Sequence, residues 1–322
     1  MRNFRKILFI LLLVILLAAC GGGSSADHVR IVLDWTPNTN HTGIYIALDK
    51  GWFAEEGLTV EILMPPEDGA LLLLASGRAE FAVDFQESLG PAIGNSGLPV
   101  TAAAAIINHN TSGLMSLAST GIRRPRDLEG KRFASWETPL VTAIIREIVQ
   151  NDGGDFNAVR MIPNMALDAF SALASDIDSI WIYYAWDGIA AEIQGLSIDY
   201  LDLGSINPVF DFYTPIIVIN DAWAAAHPET AKKFMRALSK GYYFAMDYPT
   251  EAAEILLRFA PELDAELVRR SQDWLASRYK GDAQRWGEID PQRWGAFFHW
   301  MYGEGLLDSD IGQGGFTNEY LP

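Results

Sequence analysis

Cysteine is nearly absent from this chain of 322 residues, since Cys20 is its only one. A single thiol cannot form an internal disulfide or a cysteine metal cluster, so neither can hold this fold together. Basic residues are also few: 24 lysines and arginines stand against 41 aspartates and glutamates. Nucleic-acid phosphates require a basic surface, and the net charge of −17 therefore argues against a nucleic-acid partner.

Apolar runs of membrane-spanning length are lacking, but the N-terminus carries a shorter one. Residues 1–6 are cationic, residues 7–17 are uninterrupted apolar, and small residues precede Cys20. This pattern is typical of a signal peptide that ends at a lipidated cysteine. We predict a signal peptide over 1–19 and a lipidated tether over 20–27, which would anchor the protein to the outside of the cell membrane. An uncleaved anchor with a chance cysteine is the alternative.

The rest of the chain alternates strand-like and helix-like segments, which predicts an α/β fold with mostly parallel sheets. Helical patterns cover 43–56, 70–76 and 138–151, and the chain looks mainly helical after residue 221. Four prolines sit where a helix could begin: Pro228, Pro249, Pro261 and Pro291. Predicted strands cover 28–34, 59–64, 80–84, 99–107, 131–135, 159–162, 179–184, 198–203 and 213–220.

The order of these segments predicts two lobes. Residues 28–120 plus 215–322 would form the first lobe, and residues 121–214 would form a second lobe inserted into it. Two crossings would join the lobes across a cleft. Ligands of α/β sheets sit beyond the carboxyl ends of strands, and ligands of two-lobed proteins sit between the lobes.

The loops at these strand ends carry aromatic rings beside amides and carboxylates, and almost no lysine or arginine. Rings can sandwich a flat ligand while the polar groups read its edges, so the loops predict a heteroaromatic ligand with N–H groups. Trp35 could instead fill the core, and Glu137 or Asp187 could instead cap a helix. Trp181 and Tyr183 alternate along a strand and are expected in the core. The predicted ligand-binding residues are Trp35, Asn38, Gln86, Glu87, Trp136, Glu137, Tyr184, Trp186, Asp187 and Tyr213.

Motifs of catalysis are missing from the sequence. It contains no nucleophile elbow, no His-Glu-x-x-His pair and no phosphate-binding loop. We therefore expect no catalytic residue, no metal site and no cofactor.

Four segments resemble a known family. Residues 34–43, 51–58, 126–131 and 316–321 look like those of the solute-binding proteins related to thiamine-pyrimidine biosynthesis enzymes. The resemblance implies a type II periplasmic-binding-protein fold and delivery of a small ligand to an ABC permease and its ATPase. It extends over essentially all of the chain after the signal peptide.

The same family includes binders of formylated aminopyrimidine precursors of thiamine, a riboflavin-binding branch, and synthases that use pyridoxal phosphate and their own histidine. By resemblance, the cofactor lysine of the synthases falls at Asp84 here, and their donated histidine falls at Ser88. Their cysteine cluster has no counterpart. The resemblance therefore implies a binding protein and not an enzyme.

Two ligands stay open at this point. The stretch around Tyr184, Trp186 and Asp187 resembles a ligand region of the pyrimidine binders. Trp136 and Glu137 depart from the small glycine-rich loop expected there. The three fused rings of riboflavin bury more area than one pyrimidine ring. The additional aromatic side chain of Trp136 therefore favours riboflavin, with a thiamine pyrimidine precursor as the alternative.

Overall fold

The computed structural model of the chain describes residues 26–135, 138–163 and 169–322. The predicted signal peptide (1–19) and Cys20 lie outside the described residues. In the described part of the chain, no helix is both long enough and apolar enough to cross a membrane.

Two five-stranded sheets form the centres of two lobes. The first sheet has the order β2-β1-β3-β10-β4 and the second has the order β7-β6-β8-β5-β9, in chain numbering. The strands are β1 (Asp27–Val32), β2 (Leu58–Leu63), β3 (Phe81–Asp84), β4 (Val100–Ala105), β5 (Ser112–Leu117), β6 (Arg132–Ser135), β7 (Arg160–Pro163), β8 (Ser179–Tyr183), β9 (Ile198–Asp202) and β10 (Ile216–Asn220).

Both sheets are mixed, which corrects the expectation of mostly parallel pairing. β1 runs parallel to β2 and β3, whereas β10 runs antiparallel to β3 and β4. In the second sheet, β6 is parallel to β7 and β8, and β5 is antiparallel to β8 and β9. The cause is topological, because β5 and β10 each enter their sheet from the other lobe, at the edge where the parallel strands end.

The first crossing lies earlier than the sequence predicted. β5 pairs with β8 and β9 in the second sheet, so the chain leaves the first lobe between 106 and 111. The predicted boundary at 120/121 is therefore wrong. The return crossing spans 203–215, and β10 begins directly after the predicted boundary at 214/215.

Helices cover the sheets, and proline marks several of their starts. Thr138 caps one helix by accepting a hydrogen bond from the Val141 amide, with Pro139 as its first residue. Pro261 is wrong as a helix start, because Asp264 caps the next helix instead. The α-helices are α1 (Thr42–Asp49), α2 (Trp52–Glu55), α3 (Ala70–Ala75), α4 (Gln86–Gly94), α5 (Pro139–Asn151), α6 (Ala169–Leu173), α7 (Ile189–Ile193), α8 (Leu203–Ile206), α9 (Asp221–Ala226), α10 (Pro228–Asp247), α11 (Pro249–Phe259), α12 (Ala265–Ala276) and α13 (Pro291–Gly303).

Helices α1 and α10 approach each other closely through glycine. A Cβ atom on Gly241 would overlap the carbonyl oxygen of Gly43. Tyr242 lies over Gly43 in turn, stacks on Trp286 at 4.2 Å between ring centroids, and donates its hydroxyl to the Asn40 carbonyl at 2.7 Å. This contact fixes the loop before α1 against α10.

A polar cluster ties the two crossings together. His109, from the first crossing, contacts Asp211 of the second crossing at 2.6 Å and Asp282 of the first lobe at 2.9 Å. The Asn110 amide donates to Asp211 at 2.8 Å, and Arg293 donates to Asp211 at 3.0 Å. The hydrogen bond to Asp211 raises the pKa of His109, burial opposes that rise, and the contact with Asp282 adds to it.

We expect His109→Gln to lower the melting temperature more at about pH 6 than at about pH 9. A raised histidine pKa contributes stability that is fully present below the unfolded value of 6.5 and is lost as pH rises through the folded value. Thermal unfolding followed by circular dichroism checks this, with His28→Gln, a half-exposed histidine on β1, as the control. An equal fall in melting temperature at both pH values would contradict a raised pKa of His109.

Candidate ligand-binding site

The loop after β1 is held by an internal hydrogen-bond network. The backbone N–H of Asn38 donates to His41 Nδ1 at 3.2 Å. Because Nδ1 accepts this hydrogen bond, Nε2 is the ring nitrogen that donates to Asp34, at 2.5 Å. The Asn38 side chain accepts from the Asn40 amide at 2.9 Å. Asn38, a predicted ligand contact, is therefore used to shape the loop, whereas Trp35 at its tip is 50% exposed.

Beside this loop lies an acidic cavity of about 300 Å³. None of its described lining residues is basic. Asp34 and Asp84 come from the ends of β1 and β3, which places both carboxylates at the same edge of the sheet. The other walls are formed by Asp68, Phe85, Ser88 and the first turn of α3.

Two carboxyl groups at this edge are buried. Burial raises the pKa of Asp84 to about 7, with the Phe85 amide opposing the rise and the nearby Asp34 adding to it. Burial also raises the pKa of Glu87 to about 8, and Asp84 adds to that rise. Glu87 Oε2 is buried with no hydrogen-bond partner in the described part of the chain. Both groups can therefore exist as neutral acids near neutral pH, able to donate as well as accept a hydrogen bond.

The second lobe meets these acids through Tyr183. Its ring stacks on Phe85 at 6.4 Å between centroids, and its hydroxyl lies 3.5 Å from Glu87 Oε1. The prediction that Tyr183 belongs to the core missed this contact, because alternation along a strand does not reveal what faces the strand's last residue. Glu87, which the sequence predicted as a ligand contact, is thus enclosed between the lobes.

Two predicted contacts are engaged elsewhere. The side-chain amide of Gln86 is fully buried. Its nitrogen donates to the backbone carbonyl of Trp294 at 3.0 Å, and its oxygen accepts from the backbone N–H of Tyr213 at 2.8 Å. The Tyr213 ring is 1% exposed and lies under Arg293, at 3.9 Å. Both residues fix the return crossing to the first lobe and offer no accessible group in this conformation.

The remaining predicted residues follow β8. Tyr184, Trp186 and Asp187 lie in a single π-helical turn, Tyr184–Gly188. The Tyr184 hydroxyl donates to Glu192 at 2.6 Å, and Trp186 is half-buried against the core of the first lobe. Trp136 and Glu137 lie outside the described residues, so their predicted roles stay predictions.

The described residues contain no cluster of histidine, cysteine, aspartate or glutamate able to hold a metal ion. Asp84 and Ser88, which the sequence resemblance matches to the lysine and histidine of the synthases, both line the acidic cavity. An aspartate cannot form a Schiff base with pyridoxal phosphate, and the described lining residues of this cavity include no lysine.

The two lobes and the two crossings that join them are those of the periplasmic binding protein fold. The alkanesulfonate-binding protein SsuA from Xanthomonas axonopodis pv. citri superposes with a TM-score of 0.67 at 14% sequence identity, covering 92% of this chain and 100% of that one. At such low identity, this likeness concerns the fold alone.

The chain belongs to the NMT1/THI5-like family, whose sequence profile matches residues 38–252. It is 28% identical to the formylaminopyrimidine-binding protein of Halalkalibacterium halodurans over 97% of both chains. It is 25% identical to a 4-amino-5-hydroxymethyl-2-methylpyrimidine phosphate synthase of Aspergillus parasiticus, covering 92% of this chain and 88% of that one. It is 24% identical to the riboflavin-binding protein RibY of Chloroflexus aurantiacus, covering 91% and 86%.

Proposed function

We propose that this protein is the substrate-binding component of an ABC-type import system and that it captures an aminopyrimidine of the formylaminopyrimidine type between its lobes. The observation that carries the proposal is the pair of buried acids at the lobe interface, Asp84 and Glu87, with which no cation pairs in the described part of the chain. The proposal fits the relative from Halalkalibacterium halodurans that is named for this ligand.

The chemistry of the ligand complements these acids. An aminopyrimidine places an N–H donor beside a ring nitrogen that accepts. A neutral carboxyl group presents the matching pair, with a carbonyl oxygen that accepts and a hydroxyl that donates. Glu87 Oε2 lacks a partner within the described residues and is buried, so a ligand that supplied one would remove a desolvation cost.

Riboflavin is the second candidate. Its ring system also places one N–H group beside carbonyl acceptors, so a neutral carboxyl group can pair with that edge as well. The observation in its favour is Trp136, an aromatic residue next to Glu137 in the loop after β6. The relative RibY also binds riboflavin, as its name states.

We further propose that Cys20 carries lipid and holds the protein at the outer face of the cell membrane, next to its permease and ATPase. The support is the sequence before Cys20: a cationic start, an apolar run and small residues. Cells that produce the Cys20→Ala variant are expected to release it instead of retaining it at the membrane.

A thermal-shift panel separates the candidate functions. Formylaminopyrimidine at a hundredfold excess over its Kd is expected to raise the melting temperature by about 5 °C. Riboflavin is expected to leave the temperature unchanged, and pyridoxal phosphate to give no new absorbance band. Quenching of riboflavin fluorescence, without a pyrimidine shift, would assign the site to flavin. A new band from pyridoxal phosphate would support the synthase activity of the enzyme relatives.

A further inference from the structure

A second cavity, of about 360 Å³, opens beside the first crossing. It shares no lining residue with the acidic cavity. The first crossing contributes His109, Asn110 and Thr111, and both lobes supply the remaining walls. An occupant would therefore touch both lobes without entering the acidic cavity.

The first lobe supplies an unpaired cation. The guanidinium of Arg278 lies over the ring of Trp274, at 3.5 Å from its centroid, and donates one hydrogen bond to the Trp274 carbonyl at 2.5 Å. Within residues 26–135, 138–163 and 169–322, no carboxylate lies within 4.0 Å of it, and burial lowers the pKa of Arg278. Stacking leaves the edge of the guanidinium, with its remaining N–H groups, free to bind a planar carboxylate.

The second lobe supplies an anion and aromatic walls. Asp202 accepts from the Ser205 amide at 2.7 Å, and no cation pairs with it in the described part of the chain. Tyr184 and Tyr200 pack edge to face at 4.8 Å and line the same space. A cation and an anion thus face one cavity whose walls include Tyr184, Tyr200 and Trp274.

We propose that this second cavity binds a small aromatic carboxylate that also carries an N–H donor. Arg278 pairs with the carboxylate, Asp202 accepts from the N–H group, and the tyrosines contact the ring. Nothing in this arrangement involves Asp84 or Glu87, the two acids that carry the proposed pyrimidine function, whereas Tyr184, a predicted ligand contact, lines this second cavity.

Calorimetric titration with 4-aminobenzoate tests the site, with benzoate as the probe that lacks the N–H group. We expect 4-aminobenzoate to bind more tightly than benzoate and to change tryptophan fluorescence through Trp274. Arg278→Gln is expected to weaken both probes by about tenfold or more, and Arg278→Lys to weaken them less. Asp202→Asn, which keeps the cap on α8, is expected to weaken 4-aminobenzoate and not benzoate.

Arg160→Gln, at an exposed position on β7, is the matched control and is expected to bind both probes as the unchanged protein does. No binding of either probe at millimolar concentration would overturn the proposal. So would binding that Arg278→Gln leaves unchanged, or an equal effect of Asp202→Asn on the two probes. Formylaminopyrimidine takes no part in this experiment, so its outcome is separate from that of the proposed function.

Discussion

Replacing Glu87 with glutamine is expected to stabilise the ligand-free protein at about pH 9 by on the order of 3–5 kcal/mol, and to change its stability little at about pH 4. The folded protein holds a proton on Glu87 up to about pH 8, whereas the unfolded chain releases it near pH 4.5. The folded state therefore binds more protons between these values, and its stability falls as pH rises through that window. Glutamine has no proton to release and removes this loss.

Urea unfolding at a series of pH values measures the effect of Glu87→Gln. Glu67→Gln, at an exposed position, is the control and is expected to change the free energy of unfolding by less than about 0.5 kcal/mol. If Glu87→Gln were neutral or destabilising at about pH 9, the carboxyl would be solvated or paired, and the account of the buried acids would fail.

Replacing Gly241 with alanine is expected to destabilise the protein by about 3 kcal/mol. The added methyl group would overlap the backbone oxygen of Gly43, and a backbone atom cannot turn aside as a side chain can. Helices α1 and α10 would have to separate, which would also disturb the hydroxyl of Tyr242 on the Asn40 carbonyl. Ligand affinity is expected to fall with stability, because the loop that carries Asp34 is attached to α1.

Gly303→Ala is the matched control for Gly241→Ala. Gly303 is the last residue of helix α13, and a methyl group there would meet nothing within 4 Å. Alanine is the better helix former, so this variant is expected to be neutral or stabilising by up to about 1 kcal/mol. If Gly303→Ala lowered the free energy of unfolding as much as Gly241→Ala, the destabilisation would come from replacing glycine in general and not from the contact between α1 and α10.

The sequence predicted most strands because their apolar residues form short runs bounded by glycine and polar residues. Strand β5 was not predicted, because its residues Ser112–Leu117 mix glycine and serine with only a few apolar side chains. A Cβ on its Gly113 would overlap the Leu201 carbonyl and crowd the Tyr200 ring, so close packing selects glycine where strand propensity would not. Missing β5 displaced the predicted lobe boundary, since the first crossing ends where β5 begins.

The structure places the predicted site residues in different surroundings. The strand-end rule selected Glu87, which meets Tyr183 of the second lobe, and Trp35, which is exposed. The same rule selected Gln86 and Tyr213, whose polar groups are bonded to backbone. Sequence position cannot distinguish a polar group that meets a ligand from one that supports a crossing. Tyr183 was assigned to the core because its exposure depends on the opposite lobe, which no local pattern encodes.

The most direct test of the central claim is calorimetric titration of formylaminopyrimidine into the mature protein at about pH 7, with two variants at position 87. The unchanged protein is predicted to bind one molecule with micromolar or tighter affinity. Glu87→Gln, which keeps a neutral donor and acceptor, is predicted to bind within about fivefold, and Glu87→Met to bind about thirtyfold or more weakly. Absence of binding to the unchanged protein, or equal binding by Glu87→Met, would contradict the account.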